Sequence, residues 1–427
     1  MDRTRLTTAA FLAAAALALV LPGMNRHGLW FDEAYTARVA ALDWPRLLDG
    51  AQRDIHPPGW PLLAGLMLRF PLTPEWALRL PAAICFAALV VLVGMRNVWG
   101  GVALLLYGPL VEQAGQARPY VPLALGLAAI VGLAERGHWR RAGIVVAGVA
   151  SLHALGGPLG GVTLLAAAAV RRPRWRDVGW SVGVPVILSA WWLPAFVRSA
   201  ASYAAAPWYG RSTPADWWIV TDAGGGAVVV ALLIGAAAVG RASRGLAPAV
   251  AVLTMLACMD LLGIGVEIRK TGIVVLPLLL TELTASRHGR LAALASVAVL
   301  GVTSVRIPDR PDLREAGRAI SALDRPLPVV SVFASEAAWY IRSPAPLPSY
   351  REPTAIAARI REVIELDEAG CIVAVSLPGT FPSPEDLPSG TRTVLEAGVT
   401  GLDVRVVGTE GCDVQATSQQ WRPAATP

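Results

Sequence analysis

The residues best suited to chemistry begin with two adjacent carboxylates, Asp32 and Glu33, which follow the first apolar run of the chain by a few residues. Trp30 and Phe31 precede them, so a carboxylate here could be partly desolvated. A carboxylate that is held in a fixed position can act as a general base. The same pair could also serve only to solvate a loop, because charged loops are common at the ends of membrane segments.

A second candidate is the stiff corner in "RDIHPPGWPLL", which places Asp54 and His56 before two prolines. Pro57 and Pro58 restrict the backbone and push the preceding residue toward an extended conformation. Taken alone, such a histidine is more often a loop residue than a ligand. Its proximity in sequence to the carboxylate pair makes it a candidate.

Cationic and phenolic side chains lie at the ends of two later apolar runs. "EQAGQARPY" carries Arg118 and Tyr120, and "GVEIRK" carries Arg269 and Lys270. Basic residues at such ends often only extend toward the membrane surface, but a guanidinium also binds phosphate through two hydrogen bonds. With the carboxylates and His56, these residues suit a reaction whose donor is a lipid phosphate.

The composition indicates a membrane protein. Of 427 residues, 54% are hydrophobic and 16% are charged, against about 25% charged residues in soluble domains. The net charge of +6 consists of arginines between apolar runs and a single lysine, Lys270. This distribution favours membrane topology and gives no support for a nucleic-acid partner. The four cysteines form no C-x-x-C motif, so no zinc or thioredoxin-type site is indicated.

Apolar runs that are candidates for membrane spans number about eleven. They are 8–23, 80–94, 101–114, 119–134, 142–156, 157–170, 178–197, 222–240, 246–263, 271–285 and 291–305. Alternate connections such as "MRN", "ERGHWRR" and "RRPRWR" are short and basic, which predicts a cytoplasmic N-terminus. The first loop, about 24–79, and the tail, 306–427, are then extracytoplasmic. If residues 1–23 were instead a cleaved signal peptide, Asp32 would still lie outside.

Within the first loop, "EAYTARVAALDWPRLLDG" predicts an amphipathic helix on the membrane surface, and Trp44, Trp60 and Trp76 suit the interface. In the tail, the helical patterns "LREAGRAISAL" and "TAIAARIREVIELDEAG" alternate with the strand-like "PVVSVFA" and "CIVAVSL". This alternation predicts a small α/β domain over 306–427. Cys371 and Cys412 both lie in it and could pair or remain free.

Four stretches, "LWFDEAYTARVA", "HPPGWPLL", "ALRLPAA" and "QARPYVPLALGL", occur in this order. They resemble the lipid-linked-sugar glycosyltransferases of the GT-C type, in the branch of the protein O-mannosyltransferases and aminoarabinose transferases. The resemblance covers about the first 135 residues, and "IRKTGIVVLPLLL" fits a later family segment more loosely. It implies a polytopic α-helical membrane fold in which residues 1–305 form the catalytic domain.

The resemblance also implies roles for individual residues. Asp32 matches the acid that deprotonates the acceptor, and Glu33 matches a second acid. The residues expected near the donor phosphate are His56, Arg118, Tyr120, Arg269 and Lys270. Two departures stand out: Gly59 replaces an aromatic residue found in many relatives, and "RKT" replaces an expected Arg-Tyr.

The implied reaction is an inverting transfer from a polyprenyl-phosphate sugar to a protein, glycan or lipid acceptor outside the cytoplasmic membrane. Candidate contacts for sugar or acceptor are Asp54, Trp208, Tyr209 and Trp217. Asp32, Glu33, Asp54 and His56 could bind a divalent metal, although no obligatory metal is expected.

Two alternatives to an enzyme are a transporter or flippase for lipid-linked glycans and a non-catalytic assembly partner. A transporter should carry polar residues inside its spans, and Asp260 is the one conspicuous case. The sequence identifies neither the sugar nor the acceptor.

Overall fold

The computed structural model describes residues 3–51, 56–190, 192–195, 197–198, 246–261, 268–283, 312–332, 334, 338–341, 344–346, 353–367, 370–399, 402–417 and 421–423. Each apolar run predicted within these residues is largely helical. The predicted spans 222–240 and 291–305 lie outside the described residues, so the total number of spans stays a prediction.

The helices, in chain order, are α1 Arg3–Val20, α2 Phe31–Ala40, α3 Trp44–Ala51, α4 Gly59–Met67, α5 Pro74–Gly94, α6 Val98–Leu106, α7 Gly108–Ala114, α8 Tyr120–Glu135, α9 Trp139–Leu152, α10 Gly156–Arg171, α11 Trp175–Ala190, α12 Ala247–Leu261, α13 Ile268–Leu283, α14 Leu313–Ser321 and α15 Pro353–Asp367. The strands are β1 Val329–Ser331, β2 Ala345–Pro346, β3 Cys371–Ser376, β4 Thr391–Val399, β5 Leu402–Thr409 and β6 Trp421–Pro423.

The chain divides into two compact units. Unit 1 comprises residues 1–24 and 42–307, and unit 2 comprises 25–41 and 308–427. The stretch 25–41, here called the acid segment, carries Asp32 and Glu33 and belongs to unit 2. In the sequence, this stretch lies in the first loop of residues 1–305. The acid segment makes long-range contacts with the tail, which hydropathy and composition do not reveal.

Two predicted helical segments, one in unit 1 and one in the first loop, are each divided into two helices. The predicted span 101–114 is divided into α6 and α7 at Tyr107, whose ψ of 91° is extended; Pro109 in the first turn of α7 lacks an N–H and starts a new helix. The single amphipathic helix predicted across 33–50 is wrong. It consists of α2 and α3, because Asp43 caps α3 by accepting a hydrogen bond from the Arg46 N–H at 3.0 Å.

Several of the described helices of unit 1 expose apolar side chains. Arg3–Gly23 and Pro74–Gly94 are long and apolar enough to cross a membrane. Large apolar side chains are exposed along several helices, and they include Leu6, Phe11, Leu19, Ile84, Ile144, Leu165, Val186, Ile187 and Leu188. Such a surface is costly in water, and it is what lipid-facing helices present.

Charged side chains gather at one end of the unit 1 helices. Arg96, just after α5, pairs with Glu135 at the end of α8 and donates to the Thr281 carbonyl at 2.9 Å. Glu135 also pairs with Arg171 at 3.3 Å, and Arg140 pairs with Asp177 at 3.8 Å. We call this the basic end. It contains the short basic connections that the sequence assigns to the cytoplasm.

Unit 2 contains the α/β structure predicted for the tail. Its sheet has the order β2-β1-β3-β5-β4-β6; β1 is parallel to β2 and β3, whereas β5 is antiparallel to β3 and β4. All residues of β3 are buried, in keeping with its central place. Cys371 and Cys412 form a disulfide with a Cα–Cα distance of 5.4 Å, which settles the pairing that the sequence left open.

Candidate active site

The corner before α4 is shaped by a close approach to α9. A Cβ on Gly59 would lie 2.3 Å from the Ser151 carbonyl oxygen, so a larger residue cannot be accommodated without movement. This explains why glycine stands where an aromatic residue was expected. Pro57 and Pro58 lead directly into α4, and the partly buried His56 lies on this corner.

Trp60 connects this corner to the "QARPY" segment. Its indole Nε1 donates a hydrogen bond to the Ala117 carbonyl at 3.1 Å, and the side chain is only 4% exposed. The indole is therefore packed inside the protein, where its N–H finds a buried backbone acceptor. The bond joins the residue before Arg118 to the helix that follows His56.

Four side chains of unit 1 lie close together: His56, Arg118, Tyr120 and His153. We call them the ring cluster. The Arg118 Nη2 donates to the Tyr120 hydroxyl at 3.3 Å, and its guanidinium carbon lies 5.4 Å from the centre of that ring. The Tyr120 and His153 ring centroids are 5.0 Å apart, and those of His153 and His56 are 5.3 Å apart, nearly edge to face. The cluster lies at the end of α8 and α9 opposite the basic end.

His153 was missed by sequence reasoning. It follows α9 in an extended conformation, with φ −150° and ψ 145°, and is 5% exposed. Its Nδ1 accepts a hydrogen bond from the Leu155 N–H at 3.0 Å, so a neutral His153 carries its proton on Nε2 and can donate from there. The only sequence signal was a polar residue at the end of an apolar run, and such residues are common.

Polar side chains at the end of α7 support the Arg118 segment. Gln116 is 7% exposed; its amide nitrogen donates to Glu112 at 3.2 Å, and its amide oxygen accepts from Gln113 at 3.2 Å. The Arg118 N–H donates to the Gln116 carbonyl at 2.8 Å. The backbone just before Arg118 is thus held at two successive residues, at Gln116 by the Arg118 N–H and at Ala117 by the bond from Trp60.

A buried acid and a buried base lie near the beginning of α5. Glu75 and Arg79 are 4% and 5% exposed, respectively, and they are four residues apart on one helix face. Arg79 donates a hydrogen bond to the carbonyl of Met24. Met24 is the last residue before the acid segment. Arg79 lies in the stretch "ALRLPAA", for which the resemblance implied no residue role.

In unit 2, the two predicted catalytic acids have different environments. Glu33 is 1% exposed and its carboxylate accepts a hydrogen bond from the Trp30 N–H at 3.0 Å, as in one half of a capping box. This contact gives Glu33 a structural role at the start of α2. Asp32 lies in the same first turn and is partly exposed.

Only two of the remaining candidate residues lie within the described part of the chain. Arg269 and Lys270 lie in the first turn of α13. Asp54, Trp208, Tyr209 and Trp217 lie outside the described residues, and their roles stay predictions. The structure thus brings together three predicted residues, His56, Arg118 and Tyr120, and adds His153.

Metal ligands are not clustered in the described part of the chain. No group of three or more His, Cys, Asp or Glu residues there could hold a metal ion. Because Asp54 lies outside this part, the four-residue ligand set considered from the sequence cannot be assembled from the structure, and an arrangement without an obligatory metal stays an expectation.

Comparisons with known proteins give one likeness to report. No family model matches the chain, and no curated protein matches it. Among solved structures, the chain is similar to ArnT from Cupriavidus metallidurans in the apo state, with 13% identity and a TM-score of 0.44. The likeness covers 93% of this chain and 97% of that chain. It does not establish a shared fold.

Proposed function

We propose that this chain is a membrane glycosyltransferase of the GT-C type that transfers a sugar from a polyprenyl phosphate to an acceptor hydroxyl outside the cytoplasmic membrane. The observation that carries the proposal is the ring cluster. Residues from three separated stretches, "HPPGW", "QARPY" and "SLHALGG", supply a guanidinium, a phenol and two imidazoles at one end of an apolar helical unit.

The distribution of charge supports the membrane orientation. Short, arginine-rich connections occupy the basic end, which the positive-inside rule assigns to the cytoplasm. The ring cluster is at the opposite end of α8 and α9, so it would face the extracytoplasmic side. We therefore propose a multi-pass location in the cytoplasmic membrane, with the active site and residues 306–427 outside.

An apolar cavity in unit 1 supports a lipid-linked donor. It has a volume of about 240 Å³ and is formed between α9, α10 and α11 by residues that include Val146, Ala150, Ala154, Val182 and Pro185. Ala154 directly follows His153 of the ring cluster. A polyprenyl phosphate consists of a hydrocarbon chain and a phosphate. The cavity would hold the chain, and the ring cluster beside it would bind the phosphate.

The ring cluster has a specific role in this reaction. The C1–O bond to the phosphate breaks through an oxocarbenium-like transition state, and the phosphate leaves as an anion that needs no proton from the protein. Arg118 would bind the phosphate by paired hydrogen bonds in the bound donor and in the leaving anion alike, and His153 would donate from Nε2. Arg269 and Lys270, in the first turn of α13, are proposed as further cations for the same phosphate.

Asp32 supplies the other half of the reaction. Its carboxylate takes the proton of the acceptor hydroxyl as the acceptor oxygen forms its bond to C1, on the face opposite the leaving phosphate. One bond forms as one breaks, and the configuration at C1 inverts. Glu33, which caps α2, keeps the first turn that carries Asp32 in place. The acceptor is a protein, a glycan or a lipid, and no obligatory metal is required by these steps.

The test uses the full-length protein in liposomes with a panel of radiolabelled polyprenyl-phosphate sugars. Asp32→Asn should lower turnover by about 10²–10⁴-fold, the usual contribution of a positioned base, without changing the melting temperature. Asp49→Asn, an exposed acid in the same loop, is the matched control and should retain activity. If Asp32→Asn turns over at the wild-type rate, Asp32 is not the base.

The same assay separates the enzyme from its alternatives. A transporter or an assembly partner would leave every donor unconsumed. Asp260, the polar residue that a transporter mechanism would use, lies in the last turn of α12 and not in the middle of a helix. This position gives no support for an intramembrane pathway within the described helices.

A further inference from the structure

We propose that the C-terminal α/β domain positions the acid segment through Asp312, Arg314 and Tyr340, and so fixes the start of the helix that carries Asp32. The catalytic consequence rests on the proposed function, in which Asp32 is the base. All of the contacts lie within unit 2. They assign the tail domain a role in the reaction without placing it in contact with the substrate.

Two hydrogen bonds hold the backbone just ahead of α2. The Gly28 N–H donates to Asp312 Oδ1 at 3.1 Å, and the Leu29 N–H donates to the Tyr340 hydroxyl at 2.8 Å. Both donors are backbone groups, so they fix the path of the chain and not merely a side chain. The first of these bonds is buried, and Leu29 itself is fully buried.

Arg314 secures the beginning of the acid segment. Its guanidinium donates to the Asn25 side-chain oxygen at 3.1 Å and to the Asn25 and Arg26 carbonyls at 3.3 Å each. A rigid planar group that binds three oxygens at once restricts the backbone more than one flexible contact would. The segment is therefore held at two successive points before α2 begins.

The contacts of Asp312, Arg314 and Tyr340 with residues 25–29 are here called the anchor. Asp312 connects the anchor to the fold of the tail domain. The same Oδ1 that accepts from Gly28 also accepts from the Arg314 and Glu315 N–H groups at 3.1 Å each, and so caps α14. The side chain is 4% exposed. The helix cap and the anchor of the acid segment share one oxygen, so the position of α14 determines where the segment is held.

Gly28 is required at this point for steric reasons. A Cβ there would lie 2.5 Å from Arg314 Cβ and 2.7 Å from Asp312 Oδ1. The φ angle of Gly28 is not in the left-handed region, so another residue could adopt the backbone conformation. A larger side chain should therefore displace the segment from Asp312 and Arg314 without straining its own backbone.

One face of α2 is buried and consists of small side chains. Ala34 and Ala37 are fully buried and Ala40 is 8% exposed, which gives the helix one face of small side chains at helical spacing. Together with the buried Glu33, this face restricts rotation of α2 about its axis. Once its beginning is fixed by the tail domain, the direction of the Asp32 side chain is determined.

The experiment compares three variants of the full-length protein in nanodiscs: Gly28→Val, Tyr340→Phe and the control Gly398→Val, whose Cβ meets nothing within 4 Å. Hydrogen exchange of the amides from 28 to 34 reports the anchor without any need for substrate. Tyr340→Phe removes one hydrogen bond and should speed exchange of the Leu29 amide by about fivefold. Gly28→Val should speed exchange across the whole stretch, and Gly398→Val should leave it unchanged.

Turnover then tests the catalytic consequence. Tyr340→Phe and Gly28→Val should lower kcat while the KM for the polyprenyl-phosphate sugar stays within twofold of wild type, whereas general misfolding would change both. Unchanged exchange in Gly28→Val would overturn the anchor, even if no donor is ever consumed. Faster exchange with unchanged kcat would overturn the positioning role. If the wild type consumes no donor, the proposed function fails, and the exchange data still decide whether the anchor exists.

Discussion

The acid segment and the ring cluster hold their side chains in different ways. The acid segment is fixed by side chains of the tail domain that hydrogen-bond to its backbone, across separations of 284 and 311 residues. The ring cluster is fixed by the ends of α4, α8 and α9, where a proline corner, a close glycine and an indole hydrogen bond set its geometry. The two halves of the proposed reaction thus depend on different units.

This difference has a consequence for function. A change that loosens the tail domain should affect Asp32 and leave donor binding intact, because the donor phosphate is assigned to unit 1. A change at the "HPPGW" corner should have the opposite effect. The base and the phosphate-binding group can therefore be disturbed one at a time, and kcat and the KM for the donor report them separately.

Removal of the disulfide is expected to have the largest effect on stability. The Cys371–Cys412 bond closes a loop with a sequence separation of 41, and a loop of that size is worth about 4 kcal/mol in the chain-entropy account. The double variant Cys371→Ser with Cys412→Ser should lower the unfolding temperature of unit 2 in calorimetry. Amide exchange should rise in the acid segment and stay unchanged around Arg118.

Cys258→Ser, at an exposed free cysteine, is the control for that experiment and should change neither region. Equal acceleration of exchange in the acid segment and in the Arg118 segment would contradict the independence of the two halves.

Loss of the Arg118 guanidinium should come next. A hydrogen bond to a charged group contributes about 1.5–3 kcal/mol, so Arg118→Ala should raise the KM for the polyprenyl-phosphate sugar by about 10–100-fold. Arg118→Lys should recover part of this loss, because lysine binds phosphate as a point charge without the paired geometry. Arg172→Ala, at the opposite end of the helices, should behave as wild type. A fall in kcat alone would show that Arg118 does not bind the donor in its ground state.

Gly59→Ala tests the corner that carries His56. Its Cβ would lie 2.3 Å from the Ser151 carbonyl oxygen, and overpacking of this kind costs about 1–3 kcal/mol. We expect a lower unfolding temperature of unit 1 and a higher KM for the donor, with exchange in the acid segment unchanged. Gly148→Ala, in α9 with open space around its Cβ, should be neutral or slightly stabilising. Equal effects of the two substitutions would show that the close approach is unimportant.

The two regions also differ in how much of their structure could be predicted from the sequence. The helices of unit 1 follow continuous apolar runs, and the first helices and strands of the tail domain have apolar periodicity; both signals depend only on neighbouring residues. His56, Arg118 and Tyr120 belong to motifs with recognisable spacing. His153 has no such motif, and its role depends on how α8 and α9 end side by side.

The contacts of the acid segment could not be predicted from the sequence for a different reason. Nothing near Gly28 in the sequence indicates that its N–H will bond to Asp312. That contact is a property of the tertiary fold, and so is the membership of Asp32 in unit 2. The burial of Trp60, whose indole was expected at the membrane interface, has the same origin, because its acceptor at Ala117 comes from another helix connection.

Trp60→Phe removes a hydrogen bond that supports the ring cluster, as Tyr340→Phe removes one that supports the acid segment. Tyr340→Phe removes the hydroxyl alone, whereas Trp60→Phe removes the indole N–H and also reduces the size of a buried ring; each lost hydrogen bond is worth about 1 kcal/mol. Trp60→Phe should raise the KM for the donor by about fivefold with kcat unchanged, since the Ala117 carbonyl loses its partner and Arg118 becomes less well fixed. Tyr340→Phe should lower kcat with KM unchanged. If both substitutions shift the same kinetic constant, the base and the phosphate-binding group respond to one shared structural element, and their separate dependence on unit 2 and unit 1 is wrong.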